Sequence, residues 1–342
     1  MKEFTVNGKN YRMPNILNPF QEAIYVHLID WKWKHITEEE GYYTHRGRKI
    51  PYDAILPESV KKDFPVIYPE VVDALKQHHE KFYFKLHQHF NHMASSQAAN
   101  ANLFLPLLLH PRTSEVLRQI KPDDFDELAI GELDRGFQIE FWGPRIGTGL
   151  LGDHTKRYGT DSDIAIAYYN KKRELCLWLI EHKLTEKDFT QCHGYTSNGR
   201  TEKHDCMKSF SEILDNKSFC YYHDVRKFKY WEITDKHRGF FVNHEKHAQC
   251  PFQGGMNQLW RNQLLALSLE EQKQPYEHVY FSVVRHPGNS YLDKTITEYK
   301  ELTANNPKFS VFTSADVINA AIGLHDPKLD KWIDWYKELY RL

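Results

Sequence analysis

Asp163, Glu181 and Lys183 stand in one short stretch, GTDSDIAIAYYNKKRELCLWLIEHKLTE (residues 159–186), and their types and spacing suit them to hold a divalent cation against a phosphate. Residues alternate between the two faces of a strand. In ELCLWLIEHK this puts Leu175, Leu177, Leu179, Glu181 and Lys183 on one face, and Cys176, Trp178, Ile180 and His182 on the other. Both faces are apolar until the last few residues, the pattern of a central strand covered on both sides. A carboxylate and an ammonium at the end of such a strand are costly unless they pair or bind something.

DIAIAYY reads as the antiparallel partner strand, with a turn over residues 170–173. Asp163 and Glu181 each lie nine positions from Lys172, so the hairpin sets them level, with alanines beneath Asp163. Two hard oxygen donors and a lysine then converge, as Mg²⁺ chemistry at a phosphate requires. A register slip would bring in Asp161 instead. The plainer alternative is a surface hairpin with a Lys183–Asp163 ion pair.

The elements that must position this stretch follow from hydrophobic period and cap signals. Asn18 to Ile36 reads as an amphipathic helix, and Pro69 to His92 as a long helix. Ser95 or Ser96 caps another helix, and Pro111 to Ile120 forms a short one. Phe137 to Gly143, His278 to Pro287 and Lys308 to Phe312 add three strands to the hairpin. Gly254 to Gln272 is helical, Thr313 and Asp316 form a capping box, and an amphipathic helix closes the sequence. This order indicates an α/β fold with a central mixed β-sheet flanked by helices. The expected division is an N-terminal helical region at 1–90, a core at 91–312 with a Cys/His insertion near 190–250, and C-terminal helices at 313–342.

The pattern D-(x)17-E-x-K across a hairpin resembles the PD-(D/E)XK, or restriction-endonuclease-like, nuclease superfamily, with a RecB-like flavour, over about residues 90 to 312. The resemblance implies that Asp163, Glu181 and the carbonyl of His182 ligate Mg²⁺ or Mn²⁺. It implies that Lys183 orients or helps deprotonate the attacking water. QLWRN is similar to the family's helix after the ExK strand, implying that Gln258 faces the site and that Arg261 and Asn262 meet the nucleic acid. ASSQAANANLF resembles the family's first core helix, but Gln97 stands where a glutamate is usual. Glu140 in FQIEFWG is the acid that would replace it.

Cys192, Cys206, Cys220 and Cys250 are separated by 13, 13 and 29 residues, with no CxxC knuckle. Zinc on Cys220, His223, His247 and Cys250 competes with zinc or an iron–sulfur cluster on all four cysteines, and with four unrelated thiols. Some RecB-like relatives carry such a cluster with other spacings. Cys176, inside the core strand, is a packed hydrophobe. In HDVRKFKYW, Arg226, Lys227 and Lys229 interleave with aromatics, a pattern able to grip a backbone and stack a base, or simply a solvated basic face. The histidines of HHEKFYFKLHQHFNH read as a solvent-facing helix side.

The sequence has 342 residues, 41% hydrophobic and 27% charged, with net charge −1, so any polyanion must meet a local patch rather than a global field. No signal-like or membrane-spanning stretch is visible, giving a cytoplasmic expectation without a membrane partner. Walker, GxSxG and HExxH patterns are missing. The expectation is a Mg²⁺-dependent deoxyribonuclease acting on DNA. The alternative is an inactive nucleic-acid-binding protein on the same fold with a Cys/His metal module. A homodimer joined through the amphipathic C-terminal helix is a further expectation.

Overall fold

A computed structural model describes residues 2–121, 124–144, 146–155 and 159–342. Arg145 and residues 156–158 of the glycine-rich connection after FQIEFWG lie outside the described residues. The N-terminal part is not purely helical. A hairpin of β1 (Lys2–Val6) and β2 (Lys9–Met13) precedes α1 (Pro19–His35), and a second of β3 (Tyr42–His45) and β4 (Arg48–Pro51) follows it. Asn18 caps α1 in a capping box with Gln21, and Pro19 sits at its first turn.

The helix expected to reach His92 stops early: α2 spans Val72–Lys81 after a 3₁₀ turn. Residues 82–95 are irregular because tertiary packing outweighs helical period. Phe84 and Phe90 are buried in the core, and the Phe84 carbonyl is held 2.8 Å from His79 Nε2. Next come α3 (Ser96–Leu108), capped by the Ser95 hydroxyl, and α4 (Thr113–Ile120). Pro106 lies inside α3 and has no N–H for the Asn102 carbonyl four residues earlier. The indole Nε1 of Trp332 donates to that carbonyl instead, at 2.8 Å.

The central sheet is mixed and six-stranded, with β5 (Phe125–Leu128), β6 (Phe137–Phe141), β7 (Ser162–Asn170), β8 (Leu175–Lys183), β9 (His278–Arg285) and β10 (Phe309–Thr313). The order runs β10-β9-β8-β7-β5, and β6 also pairs with β7. β5 is too short for its alternation to be read from sequence. β7 and β8 are antiparallel, whereas β8–β9 and β9–β10 are parallel. Ile164 pairs with Ile180, so the same register carries Asp163 opposite Glu181.

The sheet separates two apolar cores, and the alternation of β8 explains how. Cys176, Trp178 and Ile180 enter a first core with α3, α4, α11 (Ser314–Ile322) and α12 (Pro327–Tyr340). Leu177 and Leu179 enter a second core with α9 (Met256–Glu271), α10 (Asp293–Leu302) and the insertion. The indole of Trp178, fully enclosed, donates to Ser282 Oγ at 2.7 Å, so its polar atom is satisfied. The insertion contains α5 (His193–Asn198), α6 (Phe210–Asp215), α7 (Tyr221–Asp224) and α8 (Tyr230–Lys236).

The C-terminal helix corrects one expectation. Leu329, Trp332, Ile333, Tyr336, Leu339 and Tyr340 of α12 are all buried in the first core. The apolar face proposed for dimer contacts is therefore already covered within the chain. No helix among the described residues is long and apolar enough to cross a membrane.

Candidate active site

Glu181 and Lys183 emerge where β8 passes beyond the apolar part of the second core, and both remain buried. Lys183 Nζ lies 2.8 Å from Glu181 Oε1. α9 supplies the rest of the grip. Gln258 Nε2 donates to Glu181 Oε1 at 2.7 Å, and Asn262 Nδ2 donates to Oε2 at 2.9 Å. The i, i+4 spacing of these two amides places them on one side of the helix. Gln258 is itself fixed, since its Oε1 accepts from Thr190 N at 3.0 Å.

Asp163 faces the same side from β7. Its Oδ2 accepts from the His182 backbone N–H at 2.6 Å, and its carbonyl accepts from Asn100 Nδ2 of α3 at 3.0 Å. The His182 side chain points to the other side of the sheet and is wholly buried, so its pKa is lowered to about 3 by that burial. Only its backbone is available to the Asp163 side.

Glu140 holds an unusual backbone, with φ at 51°. Left-handed conformation is uncommon for a residue with a side chain. Here it interrupts strand alternation: Phe137 and Ile139 enter the first core, but Phe141 enters the second. The turned carboxylate accepts from Gln97 Nε2 at 2.7 Å. Gln97 Nε2 also reaches the Lys85 carbonyl at 3.2 Å, and its Oε1 accepts from His87 N at 2.9 Å. Gln97 and Glu140, weighed from sequence as a substituted acid and its replacement, thus touch each other.

Asp161 joins this cluster from the segment before β7, in hydrogen-bond contact with Glu140. Its carboxyl is pushed up to about 6 by burial and by the charge of Glu181, with Arg261 acting in the opposite sense. Burial and the neighbouring acids raise Glu140 well above the ordinary range. Asp163 is raised likewise, by burial and Glu181, against the pull of Lys183. Burial works against the Lys183 ammonium, but Glu181, Glu186 and Asp163 outweigh it and hold its pKa above the usual lysine value. The negative charge therefore exceeds what this lysine and Arg261 offset. Among the described residues, no three His, Cys, Asp or Glu side chains are already drawn together tightly enough to hold an ion.

The nucleic-acid contacts expected from sequence are placed differently. Asn262 is buried and holds Glu181. Arg261 donates to Thr160 Oγ1 at 3.1 Å, and Thr160 in turn bonds Asp153, which also accepts from Tyr230 Oη at 2.7 Å. This buried network fastens the segment leading to Asp161 against α9 and α8. Arg226, Lys227 and Lys229 are exposed, but Phe228, Tyr230 and Trp231 between and beside them are buried in the second core, so these aromatics form no stacking surface.

A cleft of about 1120 Å³ opens over Asp161, Asp163, Glu140 and Lys183. Its other walls come from the segment read as helix: Tyr83, Lys85, His87, His89 and His92, together with Tyr25, Tyr43 and Tyr52. Trp142 lies on His154 at 3.7 Å between ring centroids, adding a flat stacked pair to the lining. Sequence reading missed this wall because its residues share no local period. The histidines that looked solvent-facing instead border the cleft, or, as with His78, are fully buried beside Asp134.

A family model described as restriction endonuclease associating with ARP matches residues 30–341. Neither a curated protein nor a solved structure was found to match.

Proposed function

Because the chain belongs to the family described as restriction endonuclease associating with ARP, we propose that it hydrolyses DNA phosphodiester bonds with the help of Mg²⁺ or Mn²⁺ on a restriction-endonuclease-like core. The observation that carries this reading is the opposition of Asp163 and Glu181 on β7 and β8, with Lys183 paired to Glu181 in the cleft floor. The donor set fits a hard divalent cation. It offers carboxylate oxygens of Asp163 and Glu181 and the His182 carbonyl, in a cluster whose surplus negative charge a cation would offset.

When bound, such an ion offsets charge developing on the phosphate's nonbridging oxygens and lowers the pKa of a water. Lys183, held protonated by its neighbours, donates hydrogen bonds that orient the water or the phosphate. It is a poor proton acceptor in this setting. Gln258 and Asn262 fix the rotamer of Glu181 beside Lys183. Glu140 stands in for the acid replaced by Gln97, and its raised pKa makes it a proton reservoir beside Asp161. Tyr83, Trp142 and the cleft histidines supply flat surfaces for bases. The family's description also supports association with ARP.

The test is cleavage of supercoiled and linear DNA with Mg²⁺, Mn²⁺ or EDTA, comparing the native chain with Lys183→Ala. Metal-dependent nicking that falls on the order of 10²- to 10³-fold in the variant supports the assignment. Equal nicking by both proteins would remove Lys183 from the mechanism. DNA binding without cleavage would favour the alternative, an inactive binding protein on the same fold.

A further inference from the structure

We propose that Cys192, Cys206, Cys220 and Cys250 form a tetrathiolate site for a structural Zn²⁺ ion. The four come from separate segments of the insertion, yet main-chain bonds gather those segments. Cys250 N donates to the Cys206 carbonyl at 3.3 Å, and Asp205 N to the Phe219 carbonyl at 3.1 Å. Cys192 N donates to the Gln253 carbonyl at 3.1 Å, and the Gln253 side-chain amide donates to Cys206 O. Cys192 and Cys206 are buried, Cys220 and Cys250 nearly so, and none is in a disulfide.

Two features set these cysteines apart from unrelated thiols. They lie close enough for their charges to act on one another: Cys192 is affected by Cys220, Cys206 by Cys192 and Cys220, and Cys250 by all three. Backbone N–H groups also point at them. Cys192 Sγ accepts from Gly194 and Tyr195, Cys220 from Tyr222 and His223, and Cys250 from Phe252. Such donors gain most when the acceptor is a thiolate, the form that binds metal. At Gly199 a Cβ would stand 2.6 Å from Cys206 Sγ, so only glycine lets the backbone pass that sulfur without displacement.

The mixed Cys/His alternative loses support from the same geometry. His247 faces Glu298 and Glu301 of α10, and His223 Nδ1 lies 3.8 Å from Glu232. Four soft donors without an oxygen suit a tetrahedral soft or borderline ion. No three of these thiols are already drawn together tightly enough to hold an ion, and burial favours their protonated form, with Cys206 raised to about 12 and Cys250 well above the usual thiol range. Entry of Zn²⁺ therefore draws the sulfurs together and expels four thiol protons to solvent, leaving four Zn–S bonds.

The site would brace the candidate active site. Thr190, two residues before Cys192, bonds Gln258, and Cys250 lies just ahead of α9. Elemental analysis of the full chain, purified without chelator, tests the assignment. The expected result is about one zinc per chain, released by about four equivalents of a mercurial reagent. Cys206→Ser and Cys250→Ser should lose the zinc, while Cys176→Ser should keep it. If the serine variants fail to fold, the mercurial titration of the native chain still decides. A metal-free chain, or iron with acid-labile sulfide, would overturn the proposal.

Discussion

Asn262 Nδ2 donates to Glu181 Oε2 across 2.9 Å, and both side chains are almost completely enclosed. The acid at the end of β8 is therefore aimed from α9 rather than from its own strand. Removing one such positioning amide from a metal ligand costs about 10- to 100-fold in metal affinity or activity. Asn262→Ala and Gln258→Ala should each raise the Mg²⁺ concentration needed for nicking by that order. A Mg²⁺ titration of cleavage checks this, and an unchanged midpoint would show that Glu181 needs no such support.

Asp161→Asn should shift the acid limb of the cleavage profile to lower pH. Asp161 carries one of the charges that hold Glu140 and Asp163 in their raised range, and it hydrogen-bonds Glu140. Its removal lets the remaining carboxylates ionise more easily. Rates measured across pH at saturating Mg²⁺ would reveal the shift. A profile identical to the native one would mean that the cluster does not control the limb.

Two sets of buried groups should make stability depend on pH in opposite directions when no divalent metal is present. His92 and His182 are buried with pKa lowered to about 3, so the folded state resists protons that the unfolded chain accepts. That stability is present above the unfolded histidine value and is lost as pH falls below about 6.5, by about 1.4 kcal/mol each one unit lower. The raised carboxylates act oppositely: their contribution is present at low pH and is lost as pH rises through the folded value, near 6 for Asp161. Mg²⁺ should therefore raise the melting temperature more at about pH 8 than at about pH 5.5. Thermal melts with and without Mg²⁺ decide it, and an equal shift at both would contradict the charge argument.

Trp332→Phe should destabilise the fold by about 2–4 kcal/mol. The change leaves the Asn102 carbonyl, already without its helical partner because of Pro106, unpaired in the first core. Urea midpoints would show it. A loss under about 1 kcal/mol would mean that water or relaxation satisfies that oxygen.

The β7–β8 hairpin was legible because both strands carry strict two-residue alternation and a polar turn, which together fix a register. α9 was legible from its helical period, including the shared face of Gln258 and Asn262, although not that Asn262 would turn inward to Glu181. Other parts were not legible for identifiable reasons. Residues 82–95 keep a helical composition but follow the pull of Phe84 and Phe90 into the core. The left-handed turn at Glu140 follows no propensity and is imposed by packing on both sides. Asp161 enters the cluster alongside Asp163 because the segment before β7 is tied down by Thr160 and Arg261, a tertiary contact with no local mark.

Gln97 gives the cleft wall and the acid cluster a common bond. Its amide holds His87 N and the Lys85 carbonyl on one side and the Glu140 carboxylate on the other. Displacing the wall segment would free Gln97 from its bonds to His87 and Lys85, loosening the amide whose hydrogen bond favours the ionised form of Glu140, and the proton affinity of Glu140 would rise. Whatever opens the wall promotes proton uptake at Glu140, and by thermodynamic reciprocity whatever ionises Glu140 favours the closed wall. Occupancy of the cleft and protonation of its floor are one linked equilibrium.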